Sequence, residues 1–284
     1  MLLGVFVFAL MDASLKRLST QYPAVEVTTL RAAASLPFLL GWLTWARAWR
    51  RLGVSSPLLY AVRVALGVLM LVTFVYSVSV QPLSDSYSVF MSAPLMVTAL
   101  SRVFLGERVP ARRWLAITGG LCGVLIALKP RGAGLVSAGG LAAAASAACY
   151  ALSILLIRVL GRRDSNHAMV FWYVLALALV SGAIAAPRWQ PVAAAHWPLI
   201  AFIGVTGAIG QFLFTAAFRL GPSSTIAPFE YTALVWGLAL DYAVFGLVPL
   251  PRVLVGGAIV IAAGVYVIWD EHRVAAEPLG ATDR

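Results

Sequence analysis

A glutamate inside a long apolar segment has the clearest chemical potential of any residue in this chain. Glu230 follows Pro228 by two residues in the stretch GPSSTIAPFEYTALVWGLALDYAVFG, residues 221–246. A carboxylate at membrane depth costs roughly 2.5–3.5 kcal/mol on insertion scales, so such residues are usually retained for function. A proline inside a spanning helix also leaves a backbone carbonyl without its helical partner. The combination predicts a polar binding site in an interrupted helix.

Aromatic residues close to Glu230 could supply stacking surface for an aromatic or heteroaromatic ligand. Phe229, Tyr231 and Trp236 belong to the same apolar segment. Tyr87 lies at the start of a different apolar segment and is expected to face the same site. These rings and the carboxylate are the predicted substrate contacts of this part of the chain.

Basic and acidic residues also occur in the second and third apolar segments. Arg31 lies deep in the second segment, and the fixed fork of donors on an arginine matches a carboxylate or a phosphate. Substrate contact and snorkelling of the side chain to the interface are both open for Arg31. Glu26 lies one turn from the interface, where we expect it to be solvated. Arg63 lies near the start of the third segment and is expected to snorkel.

Two aspartates are candidates for accepting a proton at membrane depth. Asp12 and Lys16 are spaced i,i+4 on the first segment, so they share a helix face and can pair. A self-neutralising pair near the interface and a functional role are both open for Asp12. Asp85 follows Pro82 at a helix start, where it could complement the helix dipole. The alternative for Asp85 is a proton-accepting carboxylate beside Tyr87.

The composition places the chain in a membrane. Hydrophobic residues make up 61% of the 284 residues and charged residues only 11%, with a mean hydropathy of +0.91. A soluble domain carries about 25% charged residues. The net charge of +10 is distributed in short clusters between apolar runs, which is typical of cytoplasmic loops rather than of nucleic-acid binding.

Motifs for metal binding and enzymatic catalysis are missing from the sequence. The histidines are far apart and form no H-E-x-x-H pattern, and Cys122 and Cys149 each lie inside an apolar run. The sequence also lacks a Walker loop, a G-x-S-x-G elbow and the Gly-x-Gly-Asp pattern of one class of intramembrane protease. We therefore expect no metal, no cofactor and no enzymatic activity.

The apolar segments predict ten membrane-spanning helices, since a span needs about 20 mostly apolar residues. Their expected bounds are 2–19, 24–46, 58–80, 83–105, 111–129, 135–159, 167–186, 197–218, 223–246 and 251–269.

With both termini inside, ten basic residues of the loops face the cytoplasm and six face the other side. Because Lys and Arg favour cytoplasmic loops, both termini are predicted to be cytoplasmic.

A weak internal repeat divides the chain into two halves. A shift of 140 residues places Gln81-Pro82 on Gly221-Pro222 and the sequence FLG at 104–106 on VFG at 244–246. Five helices per repeat is an odd number, so the halves must have opposite topology. Inverted repeats build a substrate site near the membrane midplane from interrupted helices. Pro94 is expected to interrupt the fourth helix as Pro228 interrupts the ninth. The predicted domains are 1–132, 133–270 and a cytoplasmic tail at 271–284.

The stretch PLSDSYSVFMSAPLMVTALSRVFLGERVPARRWLAITGGLCGVLI, residues 82–126, resembles the first repeat of EamA-type transporters of the drug/metabolite transporter superfamily. The matching elements are Leu-Gly-Glu-Arg at 105–108, Ala-Pro at 93–94 and Gly-Val at 123–124. The second half resembles the same family in APFEYTALVWG at 227–237 and GGAIVIAAGVYVI at 256–268. One departure is Leu247, which stands where the first repeat has Glu107.

The resemblance implies an all-α membrane protein with ten transmembrane helices, arranged as two inverted five-helix repeats around a central cavity. It also implies that helices five and ten are peripheral, where their glycines permit a homodimer. Within the superfamily, the Asp12-Ala13 pair and the stretch APFEYT at 227–232 resemble the subgroup of transporters for riboflavin, S-adenosylmethionine or related metabolites.

The predicted function is a secondary active transporter that moves a small organic metabolite across the cell inner membrane by alternating access. Its substrate is expected to be heteroaromatic or amino-acid-like, and its partners are the lipid bilayer and, if transport is proton-linked, protons. An uncoupled facilitator or channel is the alternative, and an intramembrane enzyme is a remote one.

Overall fold

The computed structural model of the chain describes residues 1–18, 21–80, 86, 89–107, 109–128, 137–245 and 251–276. Its helices are α1 (Leu2–Leu18), α2 (Ala24–Trp45), α3 (Pro57–Val80), α4 (Ala93–Leu105), α5 (Ala111–Leu128), α6 (Ala138–Leu160), α7 (Asn166–Ala185), α8 (Trp197–Leu220), α9 (Thr232–Phe245) and α10 (Pro251–Ala276). Among these described residues there is no β-strand. The prediction of an all-α chain is thus confirmed for the described part.

Two of the predicted helices differ in the structure from a single continuous helix. Residues 91 and 92 form a turn, and α4 begins only at Ala93, with Pro94 in its first turn. The ninth segment starts as a short α-helical turn at Ser223–Ile226 and continues as a 3-10 helix at Ala227–Tyr231 before α9 begins. Pro228 lies at the start of that 3-10 helix. Both prolines therefore lie where the helical geometry changes, because proline cannot continue a preceding helix.

Some predictions fall outside the described residues. Asp85 and Tyr87 are among them, and so is the side chain of Lys16. At the other end of the chain, α10 continues to Ala276. The first residues of the predicted tail, 271–276, are therefore part of the last helix.

Four helical segments of the described chain are long and apolar enough to cross a membrane. They are Pro57–Phe74, Ala138–Leu160, Asn166–Arg188 and Ala194–Leu220. Shorter apolar helical segments occur at Leu2–Leu15, Ala93–Leu105 and Leu254–Tyr266. The number of ten spans stays a prediction.

The helices pack in pairs that recur when the two halves are exchanged. Under the repeat, α1 corresponds to α6 and α3 to α8; α3 packs along α6, and α1 packs along α8. In the same way α4 packs on α6, and its counterpart α9 packs on α1. The pairs α2–α7 and α5–α10 each join corresponding helices of the two halves. The packing therefore carries the internal symmetry that the sequence shift of 140 residues suggests.

The loops are grouped at two ends of the bundle. At the end that we call the basic end, Ser55 N donates to Asp164 Oδ1 at 3.0 Å, and Arg219 Nε donates to Asp164 O at 3.2 Å. Exposed arginines such as Arg51 and Arg162 lie in its loops. At the opposite end, Tyr22 contacts the 190–196 loop: Ala193 N donates to the Tyr22 hydroxyl at 3.0 Å. Among these described loops, successive loops along the chain thus lie at opposite ends of the bundle.

Local sequence signals explain several helix ends. Ser137 and Ser165 cap α6 and α7, and each side chain accepts a hydrogen bond from the backbone N–H three residues later. Gly106 ends α4 with a φ of 67°, a left-handed conformation that glycine adopts without strain. Between α5 and α10, a Cβ on Gly123 would lie 2.8 Å from Gly256 O. The close approach of these two helices therefore requires a glycine at 123.

Candidate functional site

Glu230 is bonded to a tyrosine from a different helix of the same half. The Tyr150 hydroxyl, on α6, donates a hydrogen bond of 2.6 Å to Glu230 Oε2. This distance lies within the range of about 2.5–3.0 Å that is usual for an O–H···O hydrogen bond. Glu230 Oε1 is buried and has no hydrogen-bond partner among the described residues. One oxygen of the carboxylate is thus fixed by the protein, and the other is free to accept a ligand donor.

The interrupted geometry of the ninth segment brings Glu230 to this position. Pro228 has no N–H, and the chain around it forms a 3-10 helix with three residues per turn. The Thr232 hydroxyl donates to Phe229 O at 2.6 Å, which satisfies a carbonyl at the transition into α9. The side chains of Phe229 and Glu230 are half-buried, whereas Tyr231 is 1% exposed. Residue 230 as a whole is therefore less buried than its neighbour Tyr231, although Oε1 of its carboxylate is itself buried.

A row of aromatic rings connects Glu230 with Arg31 and bridges the two halves. The Tyr150 ring lies 5.7 Å from the Phe90 ring and 6.4 Å from the Phe214 ring. Phe214 in turn lies 5.6 Å from Phe8 on α1. These tilted contacts have the centroid distances at which aromatic pairs attract each other. Together they form an apolar surface between the polar groups.

Arg31 lies at the far end of this row. Its guanidinium carbon is 5.9 Å from the centre of the Phe8 ring, within the range of a cation–π contact. The Arg31 guanidinium also interacts electrostatically with Asp12 on α1, whose side chain is exposed. Phe8 is fixed from the other side by α8, since a Cβ on Gly210 would lie 2.8 Å from Phe8 Cδ1. Arg31 and Asp12, a positive and a negative group, thus lie together at the end of the aromatic row that is far from Glu230.

The other aromatic residues predicted for the site have different surroundings. Tyr231 packs with Ile117 and Val124 of α5 and Val260 of α10. Trp236 packs against Phe6 of α1, with ring centres 4.7 Å apart, and its indole N–H has no partner among the described residues. Of the predicted rings, Phe229 is next to Glu230 in the chain, Trp236 lies between α9 and α1, and Tyr231 is directed toward the α5–α10 pair.

Two expectations for charged residues near helix ends are wrong. Arg63 does not snorkel: it is 2% exposed, its Nη1 donates to Met169 O at 3.0 Å, and its guanidinium lies 4.4 Å from the Tyr173 ring centre. Glu26 is not solvated: it is 1% exposed, and its Oε2 accepts a hydrogen bond from Gln190 N at 3.2 Å. Both partners come from the other half of the chain, so no local pattern indicated them.

Sequence reasoning also missed Tyr150. It lies two residues after the small-residue stretch 139–148, which indicated only close helix contact. A phenol at the end of such a stretch needs a hydrogen-bond partner when it is buried, and that requirement was the available signal. The partner itself lies 80 residues further along the chain.

Comparisons with known proteins agree with this architecture. The profile of the EamA-like transporter family matches residues 1–129 and again residues 137–269. A crystal structure of a protein that is 18% identical superposes with a TM-score of 0.80 and covers 97% of this chain and 96% of its own. At that identity the likeness shows a shared fold.

Curated relatives of similar length are transporters. The pseudopaline exporter CntI of Pseudomonas aeruginosa is 29% identical over 266 residues, 92% of each chain. The riboflavin transporter of Vibrio cholerae is 25% identical over 278 residues, 96% of this chain and 93% of its own. The S-adenosylmethionine uptake transporter of Rickettsia bellii is 25% identical over 276 residues, 95% of this chain and 94% of its own.

The family profile matches each half of the chain once, and the helix pairing repeats with the halves exchanged. The resemblance noted from the sequence is confirmed: the chain is a membrane protein and belongs to the EamA-like transporter family.

Proposed function

We propose that the protein is a secondary active transporter that moves a small organic metabolite across the cell inner membrane by alternating access. The observation that carries the proposal is the Glu230 carboxylate in an interrupted segment. Its Oε2 accepts a hydrogen bond from Tyr150, and its Oε1 has no described partner. Interrupted helices at repeat interfaces are where transporters of this type bind their substrates.

The substrate proposed here has a positive or hydrogen-bond-donating group, an apolar or aromatic body and an acidic group. Glu230 would accept from the first, the rings of Phe214 and Phe90 would contact the second, and Arg31 would bind the third. The names of two relatives support this class, since S-adenosylmethionine and riboflavin both carry heteroaromatic rings. Trp236 and Phe229 are proposed to extend the stacking surface.

Proton coupling is part of the same proposal, and Asp12 is the candidate that the structure describes. Asp12 is an exposed residue that interacts electrostatically with Arg31, so protonation of Asp12 would change the charge that the substrate's acidic group meets. Asp85 is the second candidate. Orientation follows from the charges: the basic end is proposed to face the cytoplasm, with both termini inside.

The test is uptake and efflux in proteoliposomes with a panel of riboflavin, S-adenosylmethionine and amino-acid-derived metabolites. Each is measured with and without an imposed proton gradient for the wild type and for Glu230→Gln. We expect Glu230→Gln to lose at least about tenfold in kcat/KM, the factor that corresponds to one hydrogen bond to a charged group. If Glu230→Gln transports with the wild-type rate and affinity, Glu230 does not contact the substrate and its place in the site is wrong.

A matched control is Glu26→Gln, which alters another buried carboxylate, at the opposite end of the bundle. An amide oxygen can still accept from Gln190 N, so we expect near-normal transport from this variant. The proton gradient separates the two transport classes. Accumulation of substrate against its gradient supports a coupled transporter, and flux that only equilibrates the substrate supports a facilitator.

A further inference from the structure

A carboxylate of the first half fixes the start of the segment that carries Glu230. Ser223 N donates to Glu107 Oε1 at 3.0 Å, and Ser224 N donates to Glu107 Oε2 at 3.1 Å. Ser223 and Ser224 are fully buried and begin the interrupted segment that ends at Tyr231. Two charge-assisted hydrogen bonds to successive N–H groups determine both the position and the orientation of the backbone. The loop after α4 therefore locates the beginning of this segment.

Arg158 of α6 joins the same contact. Its Nε lies 3.7 Å from Glu107 Oε1, and its Nη1 donates to Arg219 O at 2.8 Å. The Glu107 side chain is 12% exposed and that of Arg158 is 26% exposed, so the pair is partly shielded from solvent. We call Glu107, Arg158, Ser223 and Ser224 the latch. It connects the first half to two elements of the second half at the basic end.

The latch and the candidate site join the same two elements. Tyr150 and Arg158 are both on α6, eight residues apart, which is about 12 Å along a helix. Glu230 and Ser223 are at the two ends of the interrupted segment. The interrupted segment is therefore attached to α6 in two ways. Glu230 is bonded directly to Tyr150, and Ser223 is bonded to Glu107, which in turn contacts Arg158. A shift of α6 at one attachment has to be accommodated at the other, because a helix moves as a rigid element.

We propose that Glu107 is a positioning residue: the latch closes the basic end and holds the Glu230 segment against Tyr150. Release of the Tyr150–Glu230 bond by substrate would then loosen the latch through α6 and favour opening at the basic end. This inference rests on the proposed function of Glu230. In the second repeat, Leu247 stands at the position that corresponds to Glu107, so the sequence supplies no carboxylate at that position.

Cysteine accessibility tests the latch without a known substrate. In a background with Cys122→Ser and Cys149→Ala, the reporter is Ser101→Cys in α4. Ser101 is fully buried, and its carbonyl accepts from Glu107 N at 3.3 Å. The matched control is Ser181→Cys in α7, which is 2% exposed and contacts Thr29 near the opposite end. The probe is a membrane-impermeant maleimide applied to the purified protein.

We expect both cysteines to be protected while Glu107 is present. Glu107→Ala should raise the labelling rate of Ser101→Cys by at least about tenfold, as for the loss of a charge-assisted hydrogen bond, and leave Ser181→Cys unchanged. Glu107→Gln should fall between, because an amide oxygen still accepts one N–H but does not pair with Arg158. If Glu107→Ala does not fold, Arg158→Gln is expected to change labelling in the same direction.

Two outcomes overturn the inference: unchanged labelling at Ser101→Cys, or equal increases at both reporters, which would indicate general loosening. Transport of the panel separates this failure from that of the proposed function. If Glu230→Gln transports normally while labelling responds to Glu107→Ala, the latch stands and the function fails. If Glu230→Gln loses transport while Glu107→Ala changes neither labelling nor KM, the function stands and the latch fails.

Discussion

The Tyr150 hydroxyl donates to one oxygen of Glu230 over 2.6 Å, while the second oxygen of this carboxylate has no described partner. Tyr150 therefore does two things at once. It fixes the orientation of Glu230, and by donating to Oε2 it lowers the cost of an acidic group among apolar side chains. The other oxygen, Oε1, can accept a hydrogen bond from a substrate donor.

The variant Tyr150→Phe tests this relationship directly. It removes the hydroxyl and keeps the ring that packs against Phe90 and Phe214. A hydrogen bond to a charged group is worth about 1.5–3 kcal/mol, so we expect kcat/KM to fall by roughly tenfold or more. Tyr242→Phe is the control, since Tyr242 is 60% exposed. Uptake in proteoliposomes gives the comparison, and equal kinetics for both variants would contradict the role of Tyr150.

Arg31 is expected to select for an acidic group on the substrate. Arg31→Ala should weaken binding of anionic or zwitterionic ligands by about tenfold or more, and it should affect uncharged analogues far less. Arg31→Lys keeps the charge but loses the planar fork over Phe8, so it should restore only part of the affinity. The readout is ligand-induced thermal stabilisation in detergent, which reports binding to the folded state. Equal losses for charged and uncharged ligands would argue against a charge contact.

Arg63 is predicted to contribute to stability. Arg63→Ala removes a side chain that is 2% exposed, together with its hydrogen bond to Met169 O and its contact with the Tyr173 ring. Loss of this packing and of the hydrogen-bond donor to Met169 O should lower the free energy of unfolding by about 2–4 kcal/mol. Arg188→Ala, at an exposed position, should change it by less than about 0.5 kcal/mol. Thermal unfolding in detergent measures both, and similar melting temperatures would refute the structural role.

Two adjacent glycines in α5 provide a matched test of the packing around Tyr231. A Cβ on Gly120 would lie 2.6 Å from Tyr231 Cδ2, whereas a Cβ on Gly119 would meet no atom within 4 Å. Gly120→Ala should therefore destabilise the protein by about 1–3 kcal/mol through overpacking. Gly119→Ala should be neutral or slightly stabilising, because alanine has the higher helix propensity. The reverse order of melting temperatures would show that Tyr231 does not occupy this position.

The glycines in helices five and ten, on which the predicted homodimer is based, are partly explained by packing within one chain. Gly123 faces Gly256 across the α5–α10 contact, so part of the glycine pattern is required for packing inside the protomer. A Cβ on Gly119 would meet no atom within 4 Å, and Gly119 is partly exposed, so it leaves small-residue surface open. Cross-linking in native membranes through a cysteine at position 119 measures whether a second copy packs there.

Local patterns in the sequence determined the helices, the breaks at Pro94 and Pro228, the two-fold repeat and the family. Apolar runs, prolines and caps act within a few residues, so their effects can be read along the chain. Glu230 was also identifiable, because a carboxylate in an apolar segment is costly wherever that segment packs.

Only the tertiary structure decided which groups meet. Tyr150 and Glu230 are separated by 80 residues, Arg63 and Met169 by 106, and Glu107 and Ser223 by 116. Tyr231 differs from Glu230 by one position, yet it is directed to the α5–α10 pair because of the 3-10 geometry and the space at Gly120. Hydrogen bonds and packing contacts act over a few ångströms in space, and no local period encodes which distant residue will be there. The sequence thus determined that Glu230 needs a partner, and the fold decided that the partner is Tyr150.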